Sequence, residues 1–390
     1  MMTTFSKTRR RILKNSALLA GAAVLQPAAP FVSRAFAQTQ TLRMLIWEGY
    51  AIKETIAEFE QAEGVRIAPT FFAENSEAFN KLKVGGTADF DIVMADGFWP
   101  RLYYNQGLTK GLDYGQIPNI ARNVYPDFLP SSFKLLATED GSVNVAAPNC
   151  WGGYGITMNI DQIAPEDRDS LTLLLNEKYG GHLASSFRYE ENVALMGILA
   201  ATNMGTISQP REDGQPFSPY RLTDAELEEA KKLLIEQKKL ILSRYQDETT
   251  LDRMMRGGAV YASPEFSATY RRLKVLRREG KLGFDVDHML LPKEGGIGWV
   301  DTWMISSGAD SEHTEMAHKW INHYLTKKNF VRVVRQAGYS PTVDVRDMLT
   351  EEENELYFTD RTADASQLYM FDQPSSPEKW ERIWSEVEAS

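Results

Sequence analysis

At 390 residues the chain is longer than one hydrophobic core usually serves, so two domains are expected. Its formal charge of −10 disfavours nucleic acid and anionic lipid as partners and draws in cations. A single cysteine, Cys150, excludes an internal disulfide; with no histidine near it in sequence, it reads as a small buried hydrophobe rather than a nucleophile.

The chain opens with a targeting pattern. In "TRRRILK", Arg9 and Arg10 are the twin arginines of an export signal, an apolar run extends from Ser16 to Leu25, and Ala35-Phe36-Ala37 offers a small-x-small cleavage site. Residues 1–37 therefore read as a removable twin-arginine signal, with a periplasmic protein beginning near Gln38. The apolar run is shorter than the roughly 20 residues that span a bilayer, so no membrane insertion is expected. Residues 1–37 hold six basic and no acidic residues, and their removal leaves 353 residues with a formal charge of −16.

From Thr41 the pattern is strand, helix, strand, helix, strand. "TLRMLIW" is β-compatible and stops at the loop Trp47-Glu48-Gly49-Tyr50. Ile52, Ile56 and Phe59 then fall at helical spacing, with Gly64 closing the helix. "VRIAPTFF" predicts a strand, Ser76 caps a helix through Leu82, and "DFDIVMAD" predicts a buried strand finishing at Asp96. This alternation indicates a parallel sheet with helices on its faces, and such sheets bind ligands beyond the carboxyl ends of their strands. Trp47-Glu48-Gly49-Tyr50 and Asp96-Gly97-Phe98-Trp99 both sit at such ends.

Residues 101–141 read as loops and short helices. "NVAAPNCWGGYGITMN" reads as a strand broken at Pro148 and Gly152-Gly153, a candidate crossover between domains, with Trp151 at the break either lining a cleft or packing a domain seam. In "GHLASSFRYEENVALMGILAATNMG" a strand and a polar loop lead to a helix beginning near Asn192, with Glu190 or Glu191 favoured by its dipole or free to meet a ligand amine. Thr223 and Glu226 form a capping box for a helix from Asp224 to about Leu240. A short strand is expected to end at Tyr261, followed by Pro264-Glu265.

"GGIGWVDTWM" places Trp299, Asp301 and Trp303 on one face if extended, two indoles about one carboxylate. Such a face is either core or a box for a cation, since aromatic faces attract an amine and a carboxylate fixes its charge. One or two helices follow, ending at Gly338 before Tyr339. Their histidines, His313, His318 and His323, are spaced by five residues and do not share a helical face, which argues against a metal site. The acidic, aromatic tail ends in a short helix with Trp380 and Trp384.

The segments "WEGY", "DIVMADGFWPRLYYNQGLTKGLD", "AAPNCWGGYGITMN", "LPKEGGIGWVDTWMISSGA" and "AHKWINHYLTKKNFVRVVRQAGYSPT" occur in this order. Together they resemble the periplasmic solute-binding proteins that deliver spermidine and putrescine to ABC transporters. The resemblance implies a type 2 periplasmic binding fold, α/β and two-lobed, with a mainly parallel sheet in each lobe and a ligand cleft between them. Lobe 1 would comprise residues 38–148 and about 302–340, lobe 2 residues 149–301 and about 341–390. It implies a ligand site at Trp47 and Tyr50, Asp96 to Phe98, Glu191, Tyr261, Trp299 with Asp301, and Tyr339; Glu48 and Trp151 join these as candidates from their positions. The family's first loop has an acid directly before its tyrosine, where this chain has Gly49 with Glu48 one residue earlier. Asp96 stands where the family often has serine, and Arg188 accompanies the second lobe's acids. The expected protein is a monomeric receptor without cofactor or catalysis, which passes a small cation to an ABC permease. A zwitterion or quaternary amine held with Arg188 is the alternative ligand. An exported hydrolase using Glu48, Asp96 or Asp301 is the alternative class, although no G-x-S-x-G elbow or Gly-rich dinucleotide loop is present.

Overall fold

The computed structural model describes residues 40–211 and 213–390, and the targeting signal expected over residues 1–37 lies outside them. The first half begins with β1 (Thr41–Ile46), which turns through Trp47–Tyr50 into α1 (Lys53–Glu63). Phe59 is buried on the inner face of α1, and Gly64 ends the helix in the left-handed conformation at φ 68°, where its N–H reaches the Glu60 carbonyl. β2 (Arg66–Phe71) and β3 (Ile92–Ala95) pair in parallel on the two sides of β1, with α2 (Asn75–Lys83) crossing between them. α3 (Trp99–Asn105), β4 (Thr109–Lys110) and α4 (Pro118–Asn123) then give way to turns up to residue 146, the irregular stretch expected from composition.

β5 (Ala147–Asn159) corrects the sequence reading at Gly152-Gly153: it is a single strand of 13 residues, all buried, whose pairing shifts register only next to Pro148. Its glycines interrupt nothing, because neighbouring side chains cross over them. Ala147 to Tyr154 pair with β10, and Gly155 to Asn159 pair with β8 and β9, so one strand carries the sheet from one half of the molecule into the other.

The second half contains β6 (Leu183–Ser186), α5 (Tyr189–Met204), α6 (Asp224–Leu240), β7 (Ile241–Tyr245), α7 (Glu248–Arg256), β8 (Ala262–Glu265), α8 (Ala268–Arg278) and β9 (Val286–Met289). α5 starts three residues before the expected Asn192. The reason is that Asn192 is buried and bonds back to the Ser185 hydroxyl at 2.6 Å and the Ser186 carbonyl at 3.0 Å, fastening the helix's first turn to the strand before it. α6 has the expected bounds, and both halves of the Thr223–Glu226 capping box form. β8 begins one residue after Tyr261, where a strand end was expected.

β10 (Ile297–Ser306) returns antiparallel between β3 and β5. It is followed by α9 (Ser311–Tyr324), α10 (Lys327–Ala337), β11 (Ser340–Pro341), α11 (Glu351–Leu356), α12 (Thr362–Ala365), β12 (Tyr369–Met370) and α13 (Pro377–Ala389). The strand order is β2-β1-β3-β10-β5-β8-β6-β7, with β9 and β11 also on β5 and β4 and β12 on β10. β2-β1-β3 and β8-β6-β7 are parallel, and the central pairs are antiparallel. This is the two-lobed α/β fold that the resemblance implied. One core spans β1, β3, β10 and α9, and a second surrounds α5, α6 and α13, where every residue of α5 from Asn192 to Ala201 is buried. The three histidines of α9 have separate partners: Asp310 for His313, the Asp113 amide and Thr314 carbonyl for His318, and the Thr55 carbonyl for His323.

Candidate functional site

A cavity of about 710 Å³ opens where β1, β3, β6 and β8 end at their carboxyl sides, walled by β10 and by the segment after β12. Its first wall is the turn after β1. That turn is a 3₁₀ turn, in which residues three apart eclipse, so Trp47 and Tyr50 face the cavity together while Glu48 is exposed. The Trp47 ring leans on Phe72 at 4.7 Å, and the Tyr50 hydroxyl donates to Asp301 Oδ2.

Asp301 owes its position to a bulge. β10 and β5 pair at Val300–Trp151 and Thr302–Pro148, so two residues of β5, Asn149 and Cys150, oppose Asp301 alone. A bulge of this kind re-aims a side chain. Pro148 lies at this irregularity and has no N–H to give to the ladder. Beside it, Trp299 lies flat over Gly152, where a Cβ would collide with the indole. Phe266, Tyr339 and Phe371 surround that indole with ring centroids 5.2, 5.6 and 5.9 Å away. Phe371 belongs to the segment after β12, which closes on the loop after β3: the Phe98 amide donates to the Phe371 carbonyl at 3.3 Å. Gly97, at φ 54°, admits that carbonyl where a side chain would not fit.

The electrostatics are one-sided. Among the described residues, seven carboxylates line the cavity (Glu74, Asp96, Glu190, Glu191, Glu248, Asp301 and Asp372) against one guanidinium, Arg188. Burial pushes the Asp301 carboxyl well above its ordinary range, the Asp96 charge pushes it further, and the Tyr50 hydroxyl only partly offsets this. Burial likewise raises Asp96 to about 7, opposed by the Asn75 side-chain amide at 2.9 Å and reinforced by Glu74 and Glu191. Glu191 is raised by burial despite Arg188, whose Nη1 is 3.6 Å away. Glu190 and Asp372 are raised by burial as well. Such a cluster resists ionisation while empty, and a cation placed among its members removes the resistance. Among the described residues no cluster of three or more His, Cys, Asp or Glu has a geometry that could hold a metal ion.

Of the residues singled out from sequence, Trp47, Tyr50, Asp96, Phe98, Glu191, Trp299, Asp301 and Tyr339 line this cavity. Glu48, Trp151 and Tyr261 do not. Trp151 precedes Gly152 on β5 and so points to the opposite face; it is fully buried beside Phe128 and donates to the Pro341 carbonyl at 3.1 Å. Tyr261 stands at the amino end of β8, stacked on His182 at 4.1 Å, and the aromatic at the cavity end is Phe266. Trp303 continues along β10, but its indole is covered by Trp320 and Tyr324. Glu74 and Asn75, at the start of α2, and Phe371 and Asp372, after β12, had no signal in a single sequence, because the only marker of each is its place beyond a strand. Cys150 is buried and free.

A family model described as bacterial extracellular solute-binding protein matches residues 54–352. The chain is 24% identical over 317 residues to the spermidine/putrescine-binding periplasmic protein of Escherichia coli K12, covering 80% of each. It is also 24% identical over 322 residues to the putrescine-binding periplasmic protein PotF of the same organism, covering 80% of this chain and 79% of that one. Among solved structures, the spermidine/putrescine ABC transporter substrate-binding protein PotD of Streptococcus pneumoniae superposes with a TM-score of 0.69 at 21% identity, covering 90% of this chain and 99% of that one.

Proposed function

The chain belongs to the bacterial extracellular solute-binding proteins, and from that premise we propose that it is the receptor of an ABC importer for a small polyamine such as putrescine or spermidine. The observation that carries this reading is the cavity itself, which sets seven carboxylates and an aromatic cluster around Trp299 against a single guanidinium. One ammonium of the ligand lies against Trp47, Tyr50 and Trp299 and is anchored by Asp301 through a charge-assisted hydrogen bond. A buried ammonium left without a carboxylate costs several kcal/mol, so the second amine takes Asp96, Glu74 or Glu191 at the other side. Closure of the two lobes excludes water, and a permease receives the closed form; the ligand leaves unchanged. Arg9, Arg10 and the Ala35-Phe36-Ala37 site support export by the twin-arginine route to the periplasm, where the receptor acts as a monomer.

The test is a thermal-shift and calorimetric series of the protein from Gln38 onward against putrescine, cadaverine, spermidine, betaine and γ-aminobutyrate. A ligand at 100 times its dissociation constant adds about 2.7 kcal/mol to the native state. Stabilisation by the di- and triamines is expected. A response confined to betaine or γ-aminobutyrate would replace the polyamine with a zwitterion or quaternary amine and give Arg188 the role of carboxylate partner.

A further inference from the structure

A second cavity, of about 530 Å³, lies between α7, α8 and the end of α10, with Leu356 and Tyr357 on its remaining side. Three guanidiniums reach it, and two are already committed: Arg256 to Asp252 at 2.5 Å, and Arg272 to Asp252 at 3.7 Å and Glu248 at 3.9 Å. Arg271 is different. It is only 8% exposed, and among the described residues no carboxylate comes within ion-pair distance of it. Its one hydrogen bond runs from Nη1 to the Ser267 hydroxyl at 2.7 Å, and its plane covers the Tyr339 ring at 5.4 Å. Glu265, the opposite charge with the strongest pull on Arg271, spends its oxygens on the Thr157 hydroxyl and the Thr269 and Tyr270 amides. Burial accordingly lowers the Arg271 pKa.

A buried guanidinium without a counterion is costly. The edge left unbonded here, Nε with Nη2, is the one this chain uses elsewhere to grip carboxylates. Arg43 holds Asp91 by Nε and Nη2 at 3.0 and 2.6 Å, and Arg335 holds Glu353 by the same atoms at 2.6 and 2.9 Å. Next to it the cavity wall is apolar, formed by Val275, Leu276, Leu356 and Tyr357. We propose that this cavity is a second binding site, for a small organic carboxylate whose acid group takes the Nε–Nη2 edge of Arg271 and whose short apolar body lies along α8. The side-on fork matches the two oxygens of a carboxylate.

The probe is hexanoate, with inorganic phosphate and chloride at equal ionic strength as comparisons. Hexanoate raises the Tm of the wild-type protein saturably, by several degrees, and Arg271→Met abolishes the rise. Should that variant fail to fold, Val275→Glu serves instead: Val275 is 39% exposed on α8, and a glutamate there occupies the mouth and supplies an internal carboxylate, so it also abolishes the rise. Absence of a saturable rise in wild type, or a rise that survives either folded variant, overturns the site. A larger rise with inorganic phosphate than with hexanoate overturns the carboxylate assignment.

Discussion

Asp301 is held where its own ionisation is opposed, by burial and by the Asp96 charge, and the single group that favours the anion is the Tyr50 hydroxyl. Asp301→Asn keeps an oxygen for that hydroxyl and removes the charge. Diamine affinity is expected to fall by about 2–5 kcal/mol, thirty-fold to several-thousand-fold, while the ligand-free melting temperature holds or rises. Unchanged affinity in calorimetry would take Asp301 out of the site. Asp96 gives the pH dependence. Its folded pKa, about 7, lies above the ordinary 3.8, so its contribution to ligand-free stability is complete below 3.8 and is lost as pH rises through 7. A bound cation favours the ionised form, so diamine affinity should strengthen from pH 5.5 to about 7 and then level off. A flat calorimetric profile over pH 5.5–8 would contradict a role for Asp96. Most of these residues were legible one by one, as aromatics and acids just past a strand. The raised pKa values were not, because they arise from carboxylates distant in sequence that meet only in the fold.

At the scale of elements, legibility followed the range of the forces involved. The capping box of α6 is a local hydrogen-bond pair within four residues, and the helix has the bounds its sequence implied. Thr223→Ala should cost about 1 kcal/mol in denaturant unfolding without affecting ligand binding. β5 was misread because its glycines answer a demand from another strand: Gly152 is flat so that Trp299, nearly 150 residues later, can lie on it. Gly152→Ala should lose about 1–3 kcal/mol of stability or swing the indole away from Phe266 and Tyr339. Equal stability together with unchanged tryptophan fluorescence would contradict the close approach. Tyr261 falls outside the cavity, and Phe266 inside it, for a related reason. Placing β8 a few residues early exchanges the amino end of the strand for the carboxyl end, and only the latter faces the cavity.

For the whole molecule, the sharing of β5 and β10 between lobes predicts that neither lobe melts alone. Calorimetric and van't Hoff enthalpies of the ligand-free protein should agree, and two resolved transitions would show that the lobes are independent. The α/β character was readable from alternating strand and helix patterns, and the two lobes from the family resemblance. Residues 342–344 bond to 123–125, so the chain just after β11 stays attached to the first half. The position of β10 also bears on the order in which the protein can be made. Ala95 waits for Thr302, 207 residues later, before β3 gains its second neighbour, so a nascent chain that has displayed all of β1 to β5 still carries an open sheet edge. The first half of this protein is thus among the last to be finished, and a chain stopped at residue 295 should remain protease-sensitive throughout.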